Sequence, residues 1–149
     1  MKKTLAEEFL SLSEAKRRFV QFELCGNALL ILNEYLAETG EIRYVESIAG
    51  TLQIVDPKLP SNAFESAQKG ENLFNAEYRF AEPITALHYE DLEFPSHIEF
   101  AFYSIYNLFQ KYVSKRKIDD WLIVNQALSA ETDREKWTEL LKNAIEKYR

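Results

Sequence analysis

From Phe19 onward an apolar pattern runs to Leu36, and from Leu24 through Ala28, Ile31, Leu32 and Tyr35 it returns every three or four positions. That spacing keeps one face of an α-helix apolar over several turns. Ser11 with Glu14, or Ser13 as an alternative cap, precedes the run, and Thr39-Gly40 ends it with a residue suited to a left-handed closing conformation. The pattern predicts a long helix over about residues 14–38, with Gly26 tolerated in its interior as a close helix crossing would use it. A shorter helix is expected ahead of it, because Thr4 and Glu7 have capping-box spacing and Leu5, Phe9 and Leu12 form a weak stripe.

A second broad apolar face follows Pro95, through Ile98, Ala101, Phe102, Ile105, Phe109, Tyr112 and Val113, and Phe100, Tyr103, Tyr106 and Leu108 widen it. So much apolar circumference requires burial on more than one side. Ser96 with Glu99 has the spacing of a capping box at its start, and Lys115-Arg116-Lys117 lies at its other end, where cations suit the helix dipole. Ile118 through Leu128 reads as a short buried helix with Asp119 and Asp120 in its first turn. Thr132 with Glu135 opens a last amphipathic helix that carries Trp137, Leu140, Leu141, Ala144 and Tyr148 on one face.

The stretch between these helices changes period. Ile42, Tyr44, Glu46 and Ile48 alternate with Arg43, Val45, Ser47 and Ala49 before Gly50-Thr51 and the run Leu52 to Val55, which predicts a small hairpin. No Asn-Gly or Asp-Gly turn marks it, so a helix ending at Gly50 is the alternative. Asp56-Pro57 and Leu59-Pro60 are expected to form a rigid link. Residues 62–78 return to a weaker helical pattern through Phe64, Ala67, Leu73 and Phe74, interrupted by Gly70, and Ile84 to Tyr89 permit one more strand. The expected fold is mainly α: a compact multi-helix bundle with room for a small β-hairpin or short strands between residues 42 and 89. With no repeat or low-complexity tract to divide them, residues 1–149 are expected to form a single helical domain.

Composition narrows the class of partner. Hydrophobic residues at 46% and charged residues at 28% exclude both a disordered and a membrane composition. The net charge of −6 is unevenly spread: residues 19–110 carry −10, and the two flanks together carry +4. An acidic centre argues against nonspecific nucleic-acid binding and matches a protein partner with a basic face. Cys25, set among Leu24, Ala28 and Leu29, is expected to be a buried small hydrophobe. The basic start Met1-Lys2-Lys3 is not followed by an unbroken apolar region, and the longest apolar run, Ala28 to Leu32, is far shorter than the ~20 residues that cross a bilayer. A cytoplasmic protein without membrane contact is expected.

The candidate chemistry is sparse. His88 and His97, with Asp91 between them, are the best metal-ligand candidates, but the chain has no Glu-x-x-His, no His-Glu-x-x-His, no calcium loop and no cysteine cluster. No nucleophile elbow surrounds any serine, and the isolated Gly26, Gly40, Gly50 and Gly70 build no phosphate-binding loop. No metal or cofactor is expected, and the sequence weighs against an enzyme.

The partner-binding candidates are Glu82, Tyr89, Glu90, Asp91 and Glu93, an acidic connector whose tyrosine can bury its ring and keep its hydroxyl wet. The nucleic-acid candidates are Lys111, Lys115, Arg116 and Lys117, beside Tyr112 and joined by Lys16-Arg17-Arg18 if the long helices bring their basic ends together. The blander reading gives this patch a structural role. The expected function is a noncatalytic protein-binding domain, an adaptor or an inhibitor of antitoxin or immunity type, acting on a more basic macromolecule. The alternatives are a small enzyme whose acid and base converge from separate helices, and a nucleic-acid-associated helical subunit. The apolar helix surface leaves a homo-oligomer open.

Overall fold

Six helices and one hairpin account for the regular structure of a computed structural model that describes residues 2–45, 49–74 and 94–149. Helix α1 (Leu5–Leu10) begins as its spacing predicts: Thr4 Oγ1 accepts from the Glu7 amide at 3.1 Å, and its hydroxyl donates to Glu7 Oε1 at 3.2 Å. Helix α2 (Glu14–Thr39) is capped by Ser13, whose Oγ accepts from the Lys16 amide at 3.3 Å, and it closes on Gly40 at φ +77°. The strands β1 (Arg43–Val45) and β2 (Leu52–Ile54) then pair antiparallel, with Tyr44 opposite Gln53. The alternating pattern therefore makes a hairpin and not a helix ending at Gly50.

Helix α3 (Leu59–Lys69) departs from the expectation at both ends. Leu59-Pro60 belongs to its first turn, where the missing N–H of proline leaves no bond unmade. Gly70, at φ +69°, closes it, so the pattern through Leu73 and Phe74 is not helical.

Helix α4 (Ser96–Tyr112) has Pro95 at its cap position and no side-chain capping bond, so Ser96 is the first helical residue and not the cap. Helix α5 (Asp120–Leu128) is capped by Asp119, which accepts from the amides of Trp121 at 2.9 Å and Leu122 at 3.1 Å. Helix α6 (Arg134–Tyr148) is capped by Asp133, one residue beyond the expected Thr132, with the Glu135 amide 3.0 Å from its carboxylate. The expected strand at residues 84–89 lies outside the described residues.

Helices α2 and α4 form the antiparallel centre. Three contacts fix their register: the Tyr112 hydroxyl donates to Gln21 near the start of α2, Cys25 Sγ lies 3.9 Å from the Ser104 carbonyl, and Tyr35 meets Phe94 edge-on at 5.9 Å. Helix α5 packs on both, α3 covers another side of the pair, and α6 lies along α2. Leu24, Ala28, Leu32, Ile105, Leu108, Phe109, Ile123, Leu128, Leu141 and Ile145 are buried between them, the arrangement the three- and four-residue spacings demand. Phe19 and Leu30 are the exceptions on α2, 54% and 69% exposed, and Phe19 stacks on Tyr148 of α6 at 5.3 Å. At Gly26 an added Cβ would find Phe64 Cζ at 3.7 Å, an ordinary contact, so the crossing of α3 leaves room for a methyl group.

Candidate functional site

The two ends of the α2–α4 pair differ in what they do with their polar groups. At the end formed by the start of α2, the last turn of α4 and the first turn of α5, Asp120 is the hub. Because Asp119 takes the capping role, Asp120 turns inward, and its side chain is only 16% exposed. Lys111 Nζ lies 2.7 Å from Oδ1 and Arg17 Nε 2.9 Å from Oδ2. Gln21, fully buried, donates through Nε2 to Oδ1 at 2.9 Å and to the Asp120 carbonyl at 3.1 Å. Its Oε1 in turn accepts from the Tyr112 hydroxyl.

Burial alone would raise the Asp120 pKa, but hydrogen bonds from Lys111, Gln21 and Arg17, with the Lys111 charge, outweigh it and hold the carboxyl below its ordinary value. Burial pushes the Tyr112 hydroxyl up, the Asp120 charge adds to this, and Arg18 partly offsets it. Both shifts move these groups away from the neutral range in which a general acid or base is most effective. The cluster braces three helices and leaves no polar group of Asp120 or Gln21 seeking a ligand.

The nucleic-acid candidates divide across this end. Lys111 is committed to Asp120 and donates to the Ile118 carbonyl at 3.1 Å. Lys115, at φ +59°, donates to the Tyr112 carbonyl at 2.8 Å and so closes α4. Arg116 and Lys117 are exposed, and the Arg18 guanidinium stacks 4.7 Å from the Tyr112 ring centre and 5.5 Å from that of Phe22. The antiparallel pair thus brings Arg17 and Arg18 beside the end of α4, whereas Lys16 Nζ donates to the Arg149 carbonyl at 3.1 Å.

At the opposite end, the last turns of α2, the hairpin and the start of α3 enclose an open groove of about 580 Å³. Leu36, Ala37, Ile42, Ile54, Val55 and Pro57 make its apolar walls, and Asn33 Nδ2 donates to Ser61 Oγ at 3.1 Å on its floor. Glu41 and Lys58 reach its edge, where Glu41 accepts from Arg43 Nε at 2.7 Å. Glu34 and Glu38 stand exposed one turn apart on α2 and do not line the groove.

Glu82, Tyr89, Glu90, Asp91 and Glu93 lie outside the described residues, as does His88. His97 sits half-buried in the first turn of α4. Among the described residues, no three His, Cys, Asp or Glu side chains are grouped to hold a metal ion, and no helix is long and apolar enough to cross a membrane. Cys25 is fully buried, and desolvation pushes its thiol up to about 12, partly countered by its hydrogen bond to Ser104. Sequence reasoning missed the groove entirely; the one signal available was the exposed end of α2, where Glu34, Glu38 and Glu41 follow one another without a basic residue. Comparison with protein-family models, with curated proteins and with solved structures found no match for this chain.

Proposed function

We propose that this chain is a noncatalytic protein-binding domain, an adaptor or inhibitor that engages a more basic protein by steric blocking or scaffolding. What carries the reading is the separation of charge along the α2–α4 pair. At one end Arg17 and Lys111 are taken up by Asp120. At the other, Glu34 and Glu38 face solvent on α2, one turn and two turns after the exposed Leu30. Carboxylates placed this way speed encounter with a cationic partner and select against an anionic one. The chemistry of the described residues adds support, because the Cys25 thiol is buried and protonated and the Asp120 carboxylate is saturated.

The test is affinity capture with the full chain from its own host cells at low and at elevated salt, followed by reconstitution with the purified partner. The expected result is a stoichiometric complex with a basic protein, weakened by salt. Failure to reconstitute a specific complex with any captured protein overturns the reading. A nucleic-acid role draws on Arg18, Arg116 and Lys117, exposed together at the basic end. It predicts salt-sensitive binding of single-stranded RNA that Arg116→Glu with Lys117→Glu abolishes.

A further inference from the structure

We infer that the groove between the end of α2, the hairpin and the start of α3 binds a small aliphatic carboxylate, whose hydrocarbon chain lies along the apolar walls while its head group meets Lys58 and Ser61. This site is separate from the acidic face of the protein-binding reading, since Glu34 and Glu38 do not line the groove. Two properties of the lining select the ligand. The first is apolar length. Leu36, Ala37, Ile42, Ile54, Val55 and Pro57 supply the walls, and Ala37, Pro57 and Ile54 stay exposed, Ile54 by 55%. Apolar surface left to water in a concave site favours a hydrocarbon guest. The stretch of α2 from Asn33 to Gly40 measures about 10 Å at 1.5 Å per residue. An extended chain of about eight carbons has that length. A volume of about 580 Å³ holds one such chain with its head group and falls within the roughly 300–1,000 Å³ typical of sites that enclose a ligand.

The second property is the set of unmatched donors. Glu41 and Lys58 are the charged residues of the lining, and Glu41 is taken up by Arg43, whose Nε lies 2.7 Å from its carboxylate. Lys58 makes no ion pair among the described residues. The neighbouring Asp56 carboxylate accepts from the Lys58 amide at 2.9 Å and does not line the groove. Ser61, in the first turn of α3, adds two donors to the ammonium group. Its Oγ already accepts from Asn33 Nδ2 at 3.1 Å, which leaves the hydroxyl proton to be donated, and neither that proton nor the Ser61 amide has an acceptor among the described residues. Donors of this kind suit an anion, and the walls beside them require that the anion be carried on hydrocarbon. An alkylammonium ion would meet Lys58 as a like charge, and an alcohol would leave the cation unmatched.

The experiment titrates octanoate, octanol and octylammonium, each below micelle-forming concentration, into the isotopically labelled full chain and reads affinity and location from amide shifts. Octanoate is expected to saturate with a Kd on the order of 0.1–1 mM and to shift the amides of Asn33, Ala37, Gly40, Ile54, Lys58 and Ser61. Octanol is expected to bind about tenfold more weakly, and octylammonium more weakly still. From butanoate to octanoate, affinity should rise about threefold per methylene. Lys58→Gln should bring octanoate to the affinity of octanol, and Ala37→Phe, which narrows the groove without changing charge, should weaken both about tenfold. Octanol or octylammonium binding as tightly as octanoate overturns the inference. So does an affinity that ignores chain length, saturation that needs more than about 10 mM octanoate, shifts spread over other surfaces, or unchanged octanoate binding in Lys58→Gln. The head-group and chain-length series use the unaltered chain, so they decide the matter even if a variant fails to fold.

Discussion

The Asp120 end and the groove end are built from the same two helices, yet they use charge in opposite ways. Around Asp120, cations from α2 and α4 converge on one half-buried carboxylate, with Arg17 24% and Lys111 22% exposed. At the groove, Glu34 and Glu38 of α2 are exposed and Ile54, Ala37 and Pro57 stay open to solvent. A charge with its partner inside the fold supports the fold, and a charge directed at water is available to another molecule. Motif searching cannot make that distinction, because both ends contribute only ordinary Lys, Arg, Asp and Glu to the sequence.

The contrast breaks most sharply at Asp120. Asp120→Ala leaves Arg17, Lys111 and the Gln21 amide without their shared acceptor and is expected to cost about 3 kcal/mol, measured by urea denaturation. A loss below about 0.5 kcal/mol would make the cluster as dispensable as an exposed pair. The same residue sets an acid limb. Its folded pKa lies below its ordinary value, so its contribution is complete above about pH 4 and drains away as pH falls through the lower, folded value. The stability difference between the unaltered chain and Asp120→Ala should therefore shrink on acidification, and a difference that stays constant from pH 6 to pH 2 contradicts the ion-pair account.

Tyr112→Phe sharpens the comparison by removing one hydroxyl and leaving Gln21 Oε1 without its donor, at an expected cost of about 1 kcal/mol in the same denaturation experiment. The smallest effect belongs to the other end. Glu34→Lys with Glu38→Lys should change stability by less than about 0.5 kcal/mol, since both side chains are exposed. A larger loss there would mean that these carboxylates support the fold after all.

Local signals were legible in the sequence and distant ones were not. The Thr4–Glu7 box and the limits of α2 depend on residues within a turn of one another, and they fall where the spacing places them. The box assigned to Thr132 misses by one residue because Asp133 is the stronger cap, and the one assigned to Ser96 gives way to Pro95. Asp120 was readable only as a first-turn acid suited to the helix dipole. Its decisive partners, Arg17 and Gln21, are 103 and 99 residues away. The groove was hidden for a related reason: its apolar walls come from the end of α2 (Leu36, Ala37), the hairpin and its flanks (Ile42, Ile54, Val55) and the turn before α3 (Pro57), residues that look unremarkable in their own segments.

Gln21 bears on how the molecule opens. Its amide donates toward Asp120 and accepts from Tyr112, so three helices share one side chain at a single point. Amide hydrogens in the first half of α2, the end of α4 and the start of α5 should accordingly exchange with solvent as one cooperative unit, while the hairpin exchanges independently and sooner. The bundle would then yield first around its groove, and its last protected region would be the one farthest from the surface proposed to meet a partner.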